Sequence, residues 1–198
     1  MTDPNPDSSP PGRTTPQRIL VVGGVGAGKS TFAAQLAAVT DLPYLPLDGY
    51  RYQPDGQRRS RMDLEHIATG LAAGDRWICE GIFLTWTGSL MEAADTIVWM
   101  DPPARVAAYR VMRRWFLDRL RHRQLPYGFR KCVRLARSTL QPHDLHAVRA
   151  AAKNLNPSPA ALSEATNPWR EKTVRLRTRR EQIAFLSRTA SDPTARRP

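Results

Sequence analysis

A glycine-rich run ending in a lysine and a serine is the part of this chain with the clearest capacity for chemistry. Residues 23–30 read GGVGAGKS and fit the pattern G-x-x-x-x-G-K-[ST], which ends at Lys29 and Ser30. Glycines lack Cβ atoms, so successive backbone N–H groups can turn toward an anion. In this pattern the lysine reaches the β- and γ-phosphates of a nucleotide, and the hydroxyl binds Mg²⁺. The pattern therefore predicts a phosphate-binding loop.

The sequence on both sides of this loop supplies the elements that must position it. Residues 19–22 are apolar and suit a short buried strand. After the loop, Phe32, Ala33 and Leu36 follow helical spacing. The N-terminus of such a helix adds unpaired N–H groups and the positive end of the helix dipole. We predict that the chain binds ATP with Mg²⁺. The predicted nucleotide-binding residues in the loop are Gly23, Gly24, Val25, Gly26, Ala27, Gly28, Lys29, Ser30 and Thr31.

Length and composition fit one α/β domain. The chain has 198 residues, 41% of them hydrophobic, which is enough for a single substantial core. No apolar run reaches the roughly 18–20 residues of a membrane span. At the N-terminus no apolar stretch follows a basic segment, so the sequence does not predict a secretory signal. The two cysteines, Cys79 and Cys132, form no C-x-x-C pair, which favours reduced thiols in a cytoplasmic protein.

Apolar strand-like runs alternate five times with helical segments, which predicts a parallel sheet covered by helices on both faces. Proline-rich polar sequence predicts disordered tails at 1–16 and 188–198, leaving an ordered domain at 17–187. Ligands in such sheets bind at the carboxyl ends of the strands. The side chains that follow the predicted strands are therefore the first candidates for function.

Three carboxylates follow predicted strands. Asp48 is the first candidate for the base that accepts the proton of an acceptor hydroxyl, and a turn aspartate before Gly49 is the alternative. Glu80 is a candidate for holding a water ligand of Mg²⁺ or orienting the acceptor, and an ion pair with an arginine is the alternative. Asp101 precedes two prolines, which favours an N-cap of the next helix over a metal ligand.

An amphipathic helix is predicted over residues 103–122, and its apolar positions are expected to face the core. Further helices are predicted over 129–139 and 142–153, so that 103–170 forms a helical, lid-like insertion. The apolar positions of the first helix are Val106, Tyr109, Met112, Phe116 and Leu120.

Arginines on the polar side of the 103–122 helix are candidates for a phosphate-binding lid. Arg110 and Arg114 would neutralise charge on the transferred phosphoryl group, and Arg113 would bind the nucleotide. A solvated basic face is the alternative for each of them.

The formal net charge is +12, and arginine supplies most of it. The planar fork of arginine suits phosphate oxygens. Three arginines follow Asp48 and favour an anionic acceptor: Arg51, Arg58 and Arg59. Eleven Lys/Arg residues in 105–137 against the single acid Asp118 keep a nucleic-acid-binding surface open. Such a surface normally also carries stacking or base-reading side chains, and helical spacing assigns Phe116 to the core instead.

With these residues identified, the chain resembles the P-loop small-molecule kinases of the adenylate-kinase-like superfamily. Within that group it most resembles the topology-modulation or adenylate-kinase-related proteins, which usually carry Asp-Gly where this chain has Glu80-Gly81. The longer nucleotide-acceptor motifs of adenylate kinases are missing, so an adenylate acceptor is not supported. The matching blocks are ILVVGGVGAGKSTFAAQLA, LPYLPLDGYRYQPDG, WICEGIF with ADTIVWMD, and TVRLRTRREQIAFL.

The resemblance implies a three-layer P-loop NTPase fold with strand order 2-3-1-4-5, Mg-ATP as phosphoryl donor and a mobile lid carrying arginines. It also implies that Arg177, beyond the last strand, lies near the adenine. The resulting hypothesis is a kinase, monomeric or homodimeric, that phosphorylates a nucleoside, nucleotide or other hydroxylated metabolite. The alternative is an ATP-binding regulatory protein that uses the basic surface of 105–137 to bind nucleic acid.

Overall fold

A five-stranded parallel sheet organises the described part of the chain. The computed structural model describes residues 16–81, 85–121, 128–140 and 159–190. The strands are hydrogen-bonded in the order β2-β3-β1-β4-β5, and every neighbouring pair is parallel. The predicted sheet and its strand order are therefore confirmed. The strands are β1 (Arg18–Gly23), β2 (Tyr44–Pro46), β3 (Trp77–Glu80), β4 (Thr96–Met100) and β5 (Thr173–Leu176).

Helices connect these strands and cover the sheet. Capping boxes start two of these helices: Ser60 and Asp63 exchange hydrogen bonds at one helix start, and Thr178 and Glu181 do so at another. Short 3-10 helices occupy Leu47–Arg51 and Asn167–Lys172. Within the described ranges the α-helices are α1 (Lys29–Thr40), α2 (Arg61–Ala72), α3 (Gly88–Ala93), α4 (Ala104–Leu120), α5 (Phe129–Leu140), α6 (Pro159–Thr166) and α7 (Arg179–Ala190).

The sheet is apolar on both faces, as a parallel sheet between two helical layers must be. On one face, residues such as Leu20, Cys79 and Ile97 pack against α2, α3 and α6. On the other face, residues such as Val21 and Val98 pack against α1 and α7. The alternation of strand side chains thus produces two cores, and both hold the carboxyl ends of β1, β3 and β4 at one edge.

The buried face of α4 differs from the predicted one. Tyr109, Phe116 and Leu120 are more than half exposed, so the expectation that they face the core is wrong. The buried residues of α4 are small or branched: Ala107, Ala108 and Val111. Val106 and Met112 are half-buried.

The cause lies in what α4 packs against. A Cβ placed on Gly26 would collide with the backbone carbonyl of Ala107 and lie 2.9 Å from Val111. Helix α4 therefore rests directly on the glycine loop, and only short side chains fit in that contact. Ala108 and Val111 of α4 also pack against Cys132 and Ala136 of α5.

Some predictions fall wholly or partly outside the described residues. The predicted helix over 142–153 lies outside them, whereas the one over 129–139 is confirmed as α5. Of the predicted tails, only residues 16 and 188–190 are described, and the last three continue α7. Both cysteines are buried thiols without a disulfide. No helix in the described ranges has the length and apolarity needed to cross a bilayer.

Candidate phosphate-binding site

The loop between β1 and α1 has the backbone geometry that its glycines predict. Gly26 (φ 76°) and Gly28 (φ 92°) are left-handed, a conformation that side chains with a Cβ rarely adopt. The Ala27 N–H donates to the Gly24 carbonyl at 3.2 Å and closes a turn. The first helical hydrogen bond joins Phe32 N–H to Gly28 O at 3.0 Å. The predicted strand–loop–helix unit is thus present.

The first turn of α1 keeps backbone donors available. Helix geometry leaves the N–H groups of residues 28–31 without intrahelical acceptors. Among the described residues, no side chain accepts a hydrogen bond from these groups. These amides and the helix dipole therefore remain available to an anion.

Lys29 curls over its own loop. Its Nζ donates to the Gly24 carbonyl at 3.1 Å, the same oxygen that Ala27 uses. Burial lowers the pKa of Lys29 below its ordinary value, against the opposing charges of Glu80 and Asp48. The predicted loop lysine and the two predicted functional carboxylates therefore share one electrostatic environment.

Glu80 lies beside the loop, at the carboxyl end of β3. It is buried, and its strand pairs with β1 so that Glu80 lies opposite Val21. Burial raises the pKa of Glu80, while the charge of Lys29 and a hydrogen bond with the Ser30 side chain lower it. Ser30 and Glu80 thus bring a hydroxyl and a carboxylate together, and oxygen ligands of this kind are what Mg²⁺ prefers. The predicted pair fits the ion.

Tyr44 completes this cluster, although the sequence did not single it out. Its hydroxyl donates to Glu80 Oε2 at 3.3 Å, from the neighbouring strand β2. Burial raises the pKa of Tyr44, and the negative charge of Glu80 raises it further. A tyrosine in a short apolar run is typical of a core position. Its contact with a carboxylate 36 residues away leaves no signal in one sequence.

Asp48 stands at the rim of the cluster. Strand β2 ends at Pro46, so Asp48 lies in the following 3-10 helix and not at the strand end where it was placed. Its side chain is 73% exposed and pairs with Arg51 at 3.7 Å, too long for a hydrogen bond. Its charge nevertheless acts on both Lys29 and Glu80. An exposed carboxylate whose charge reaches the loop suits contact with a bound second substrate.

Arginines of α4 lie above the loop. Arg110 Nη1 donates to the Ala27 carbonyl at 3.0 Å, and the same nitrogen would lie 3.2 Å from a Cβ on Gly28. The charge of Arg114, one helical turn further on, reaches Lys29 and lowers its pKa. Arg113 is exposed on α4, and its contact with a nucleotide stays a prediction.

Asp101 does not cap α4. The residue preceding the helix is Pro103, and no side chain caps it. Asp101 instead accepts hydrogen bonds from Arg175 of β5, at 2.9 Å from Nε and 2.5 Å from Nη2. The predicted capping role is therefore wrong, because a strand 74 residues away brings a stronger partner. Arg177 also pairs with Asp101, at 3.7 Å, and its predicted place beside the adenine stays a prediction.

The chain matches no family model and no curated protein. It does align with solved structures. A gluconokinase from Sinorhizobium meliloti 1021 is 19% identical, with 90% of this chain and 95% of that chain covered and a TM-score of 0.47. A shikimate kinase from Acinetobacter baumannii is 16% identical, with 80% and 93% covered and a TM-score of 0.45. A putative kinase from Chloroflexus aurantiacus j-10-fl is 17% identical, with 87% and 96% covered and a TM-score of 0.49.

At such identities and TM-scores no argument rests on these likenesses. The strand order and the glycine loop after β1 are the deciding observations. The chain has a P-loop kinase-like fold. The predicted resemblance to the adenylate-kinase-like superfamily is thereby confirmed at the level of the fold. The closer resemblance to topology-modulation proteins stays a prediction.

In this P-loop kinase-like fold the nucleic-acid alternative gains no support. Within the basic surface of 105–137, Arg110 turns inward and donates to the loop, whereas Arg113 and Arg114 are exposed. The aromatic contact between Trp115 and Phe129, with ring centroids 5.2 Å apart, joins α4 to α5. Part of the surface, at 122–127, lies outside the described residues.

Proposed function

We propose that this protein is a kinase that transfers the γ-phosphoryl group of Mg-ATP to a small-molecule acceptor. The acceptor is a nucleoside, a nucleotide or another hydroxylated metabolite. The observation that carries the proposal is the junction of β1 and α1, where the amides of residues 28–31 and Lys29 adjoin the Ser30–Glu80 pair. Hydrogen-bond donors suited to an anion and candidate metal ligands lie together there, at the carboxyl ends of the strands, where this class of sheet binds ligands.

Binding of the triphosphate would use the backbone first. The amides at the start of α1 and the helix dipole favour negative charge. Lys29 would exchange its hydrogen bond with the Gly24 carbonyl for the β- and γ-phosphate oxygens. This exchange needs rotation of one side chain and no movement of the sheet.

Mg²⁺ would be held by the Ser30 hydroxyl and, directly or through water, by the Glu80 carboxylate. When bound, the ion neutralises negative charge on the phosphate oxygens. The hydroxyl of Tyr44 fixes the orientation of the Glu80 carboxylate before any ligand arrives.

Phosphoryl transfer requires mainly positioning and charge neutralisation from the protein. The acceptor hydroxyl oxygen forms a bond to the γ-phosphorus while the bond from that phosphorus to the β,γ-bridging oxygen breaks, and ADP leaves. Asp48 accepts the proton that the hydroxyl loses. Arg110, which donates to the loop, and Arg114, whose charge reaches Lys29, would stabilise the charge on the transferred group.

A metabolite screen for ADP release tests this function. We expect the protein to bind Mg-ATP and to release ADP at a rate that one class of hydroxylated metabolite raises at saturating ATP. Absence of Mg-ATP binding at millimolar nucleotide would contradict the proposal. Tight oligonucleotide binding that weakens steeply with salt, together with no acceptor-stimulated turnover, would favour the regulatory alternative.

A further inference from the structure

Three consecutive residues of the glycine loop contact helix α4 or the cluster that it forms with α5. Val25 packs against the apolar cluster between α4 and α5. Gly26 lies so close to the Ala107 carbonyl that a Cβ at this position would collide with it. The Ala27 carbonyl accepts a hydrogen bond from Arg110 Nη1 at 3.0 Å. The loop is therefore held from the side of α4 as well as by β1 and α1.

The hydrogen bond from Arg110 sets the orientation of one peptide group of the loop. A peptide unit is planar and trans, so its C=O and N–H point in opposite directions. The Ala27 carbonyl and the Gly28 N–H belong to the same unit, so the bond from Arg110 also fixes the direction of that N–H. The Gly28 N–H is one of the donors that the start of α1 leaves without an intrahelical acceptor. A charged donor makes this a stronger hydrogen bond than a neutral one.

The glycine at position 28 also gives Arg110 the space that it needs. Gly28 has φ 92°, which already disfavours residues with a Cβ. A Cβ there would in addition lie 3.2 Å from Arg110 Nη1. At Gly24 of the same loop, by contrast, no atom of the described residues beyond the adjoining ones lies within 4 Å of such a Cβ. Close packing at Gly26 and Gly28 thus accompanies the contact with α4.

We infer that Arg110 is a positioning residue of the phosphate-binding loop. Its bond to the Ala27 carbonyl keeps the Gly28 N–H directed at the phosphate site before a nucleotide arrives. The inference rests on the proposed kinase function, and this role is additional to the charge stabilisation assigned to Arg110 above. An arginine that acts only on the transferred group affects the γ-phosphoryl alone. An arginine that positions the loop supports the binding of ADP as well.

The first test therefore measures binding of a nucleotide without the γ-phosphate. Mg-ADP is titrated by calorimetry into wild-type protein and variants at constant ionic strength. Arg110→Met removes the donors and should weaken Mg-ADP binding by about tenfold or more, as expected for a lost charged hydrogen bond. Arg110→Lys keeps a charged donor and should lose less than about threefold. Arg105→Met removes an exposed arginine of the same helix and should stay within about twofold.

The second test examines the loop without any nucleotide. The Gly28 amide and Ala27 carbonyl resonances of isotope-labelled protein should both shift in Arg110→Met. They should stay near the wild-type positions in Arg110→Lys and Arg105→Met. A direct contact between Arg110 and a phosphate would not change these resonances in the ligand-free protein. Unchanged resonances together with weakened Mg-ADP binding would make Arg110 a phosphate ligand only and would overturn the inference.

Two further results would count against the positioning role and leave the kinase proposal standing. One is wild-type affinity for Mg-ADP in Arg110→Met, and the other is an equal loss in Arg105→Met. Failure of wild-type protein to bind both Mg-ADP and Mg-ATP would overturn the kinase proposal and this inference with it. The remaining amide resonances show whether each variant is folded. If Arg110→Met is not, Arg110→Gln, whose shorter side chain does not span the distance to Ala27, replaces it with the same expected results.

Discussion

Charged groups at the two ends of the strands differ in how far the protein satisfies them. We call these ends the amino edge, where the strands begin, and the carboxyl edge, where they end. At the amino edge, Asp95 accepts hydrogen bonds from Arg18 Nη2 at 2.8 Å and from the backbone N–H groups of Arg18 and Gln17 at 2.9 and 3.0 Å. At the carboxyl edge, Asp48 is exposed with an ion pair at 3.7 Å, and Glu80 is buried. Charges at the first edge are satisfied by the protein, whereas those around the loop are only partly satisfied.

The pKa shifts express the same difference. Burial acts to raise the pKa of Asp95, yet the hydrogen bonds from Arg18 and Gln17 outweigh it and the pKa falls. Burial also acts on Glu80, and there it prevails over Lys29 and Ser30, so the pKa rises. Carboxylates whose pKa is raised by burial are typical of functional sites. On the β4–β5 side of the carboxyl edge, Asp101 is satisfied by Arg175, unlike the charged groups beside the loop and β3.

Alanine substitutions at two lysines, one at each edge, test this difference most strongly. Lys29 and Lys172 each donate to a backbone carbonyl, and burial lowers the pKa of both. We expect Lys29→Ala to lower ATP turnover by about 10³-fold or more, because it removes the cation that binds the transferred phosphate. Lys172→Ala, at the amino edge, should change it less than about twofold. Steady-state ADP release measures both, and equal effects would erase the distinction between the edges.

Asp48→Asn should have the next largest effect. Loss of the base should lower kcat by about 10²-fold and leave the affinity for Mg-ATP nearly unchanged. Rapid-quench turnover and nucleotide titration separate the two quantities. Wild-type rates in this variant would make Asp48 a turn residue without a catalytic role.

Tyr44→Phe removes only the hydroxyl that orients Glu80. We expect the Mg²⁺ concentration for half-maximal activity to rise by about tenfold, as for other residues that orient metal ligands. Mn²⁺ binding to the nucleotide complex, followed by electron paramagnetic resonance, should weaken in parallel. Tyr52→Phe is the control, because the Tyr52 side chain is exposed. An unchanged metal dependence in the Tyr44 variant would show that Glu80 needs no such support.

Asp95→Asn should affect stability and leave catalysis unchanged. The folded-state pKa of Asp95 is lowered, so its contribution is complete above the unfolded value of about 3.9 and is lost as pH falls through the folded value. We expect a loss of about 1 kcal/mol at pH 7, since Arg18 and Asp95 are partly exposed. The loss should shrink below pH of about 4. Urea unfolding at several pH values measures it, and a loss independent of pH would contradict the assigned ion pair.

The local parts of the structure could be predicted from the sequence. The glycine loop, the five strands and helix α5 each rest on residues close together in the chain. Hydrophobic runs and turn residues carry this information directly. The strand order followed from the resemblance that these local patterns supported.

Three of the misses concern partners that are distant in sequence. Periodicity assigned the large side chains of α4 to the core, but the contact with Gly26 accepts only small ones. Asp101 was assigned to the nearest helix, yet Arg175 binds it. The Tyr44–Glu80 contact was missed for the same reason. One sequence specifies which elements form, whereas these contacts depend on how the elements meet.

The central claim is that the backbone amides around residues 23–31 bind a triphosphate. Amide chemical shifts of ¹⁵N-labelled protein, followed during titration with Mg-ATP, test it most directly. We predict large, saturable shifts for the N–H groups of residues 24–31 and none for Gln17 and Arg18 at the amino edge. Saturation of the protein without shifts in the loop, or shifts confined to the amino edge, would contradict the account.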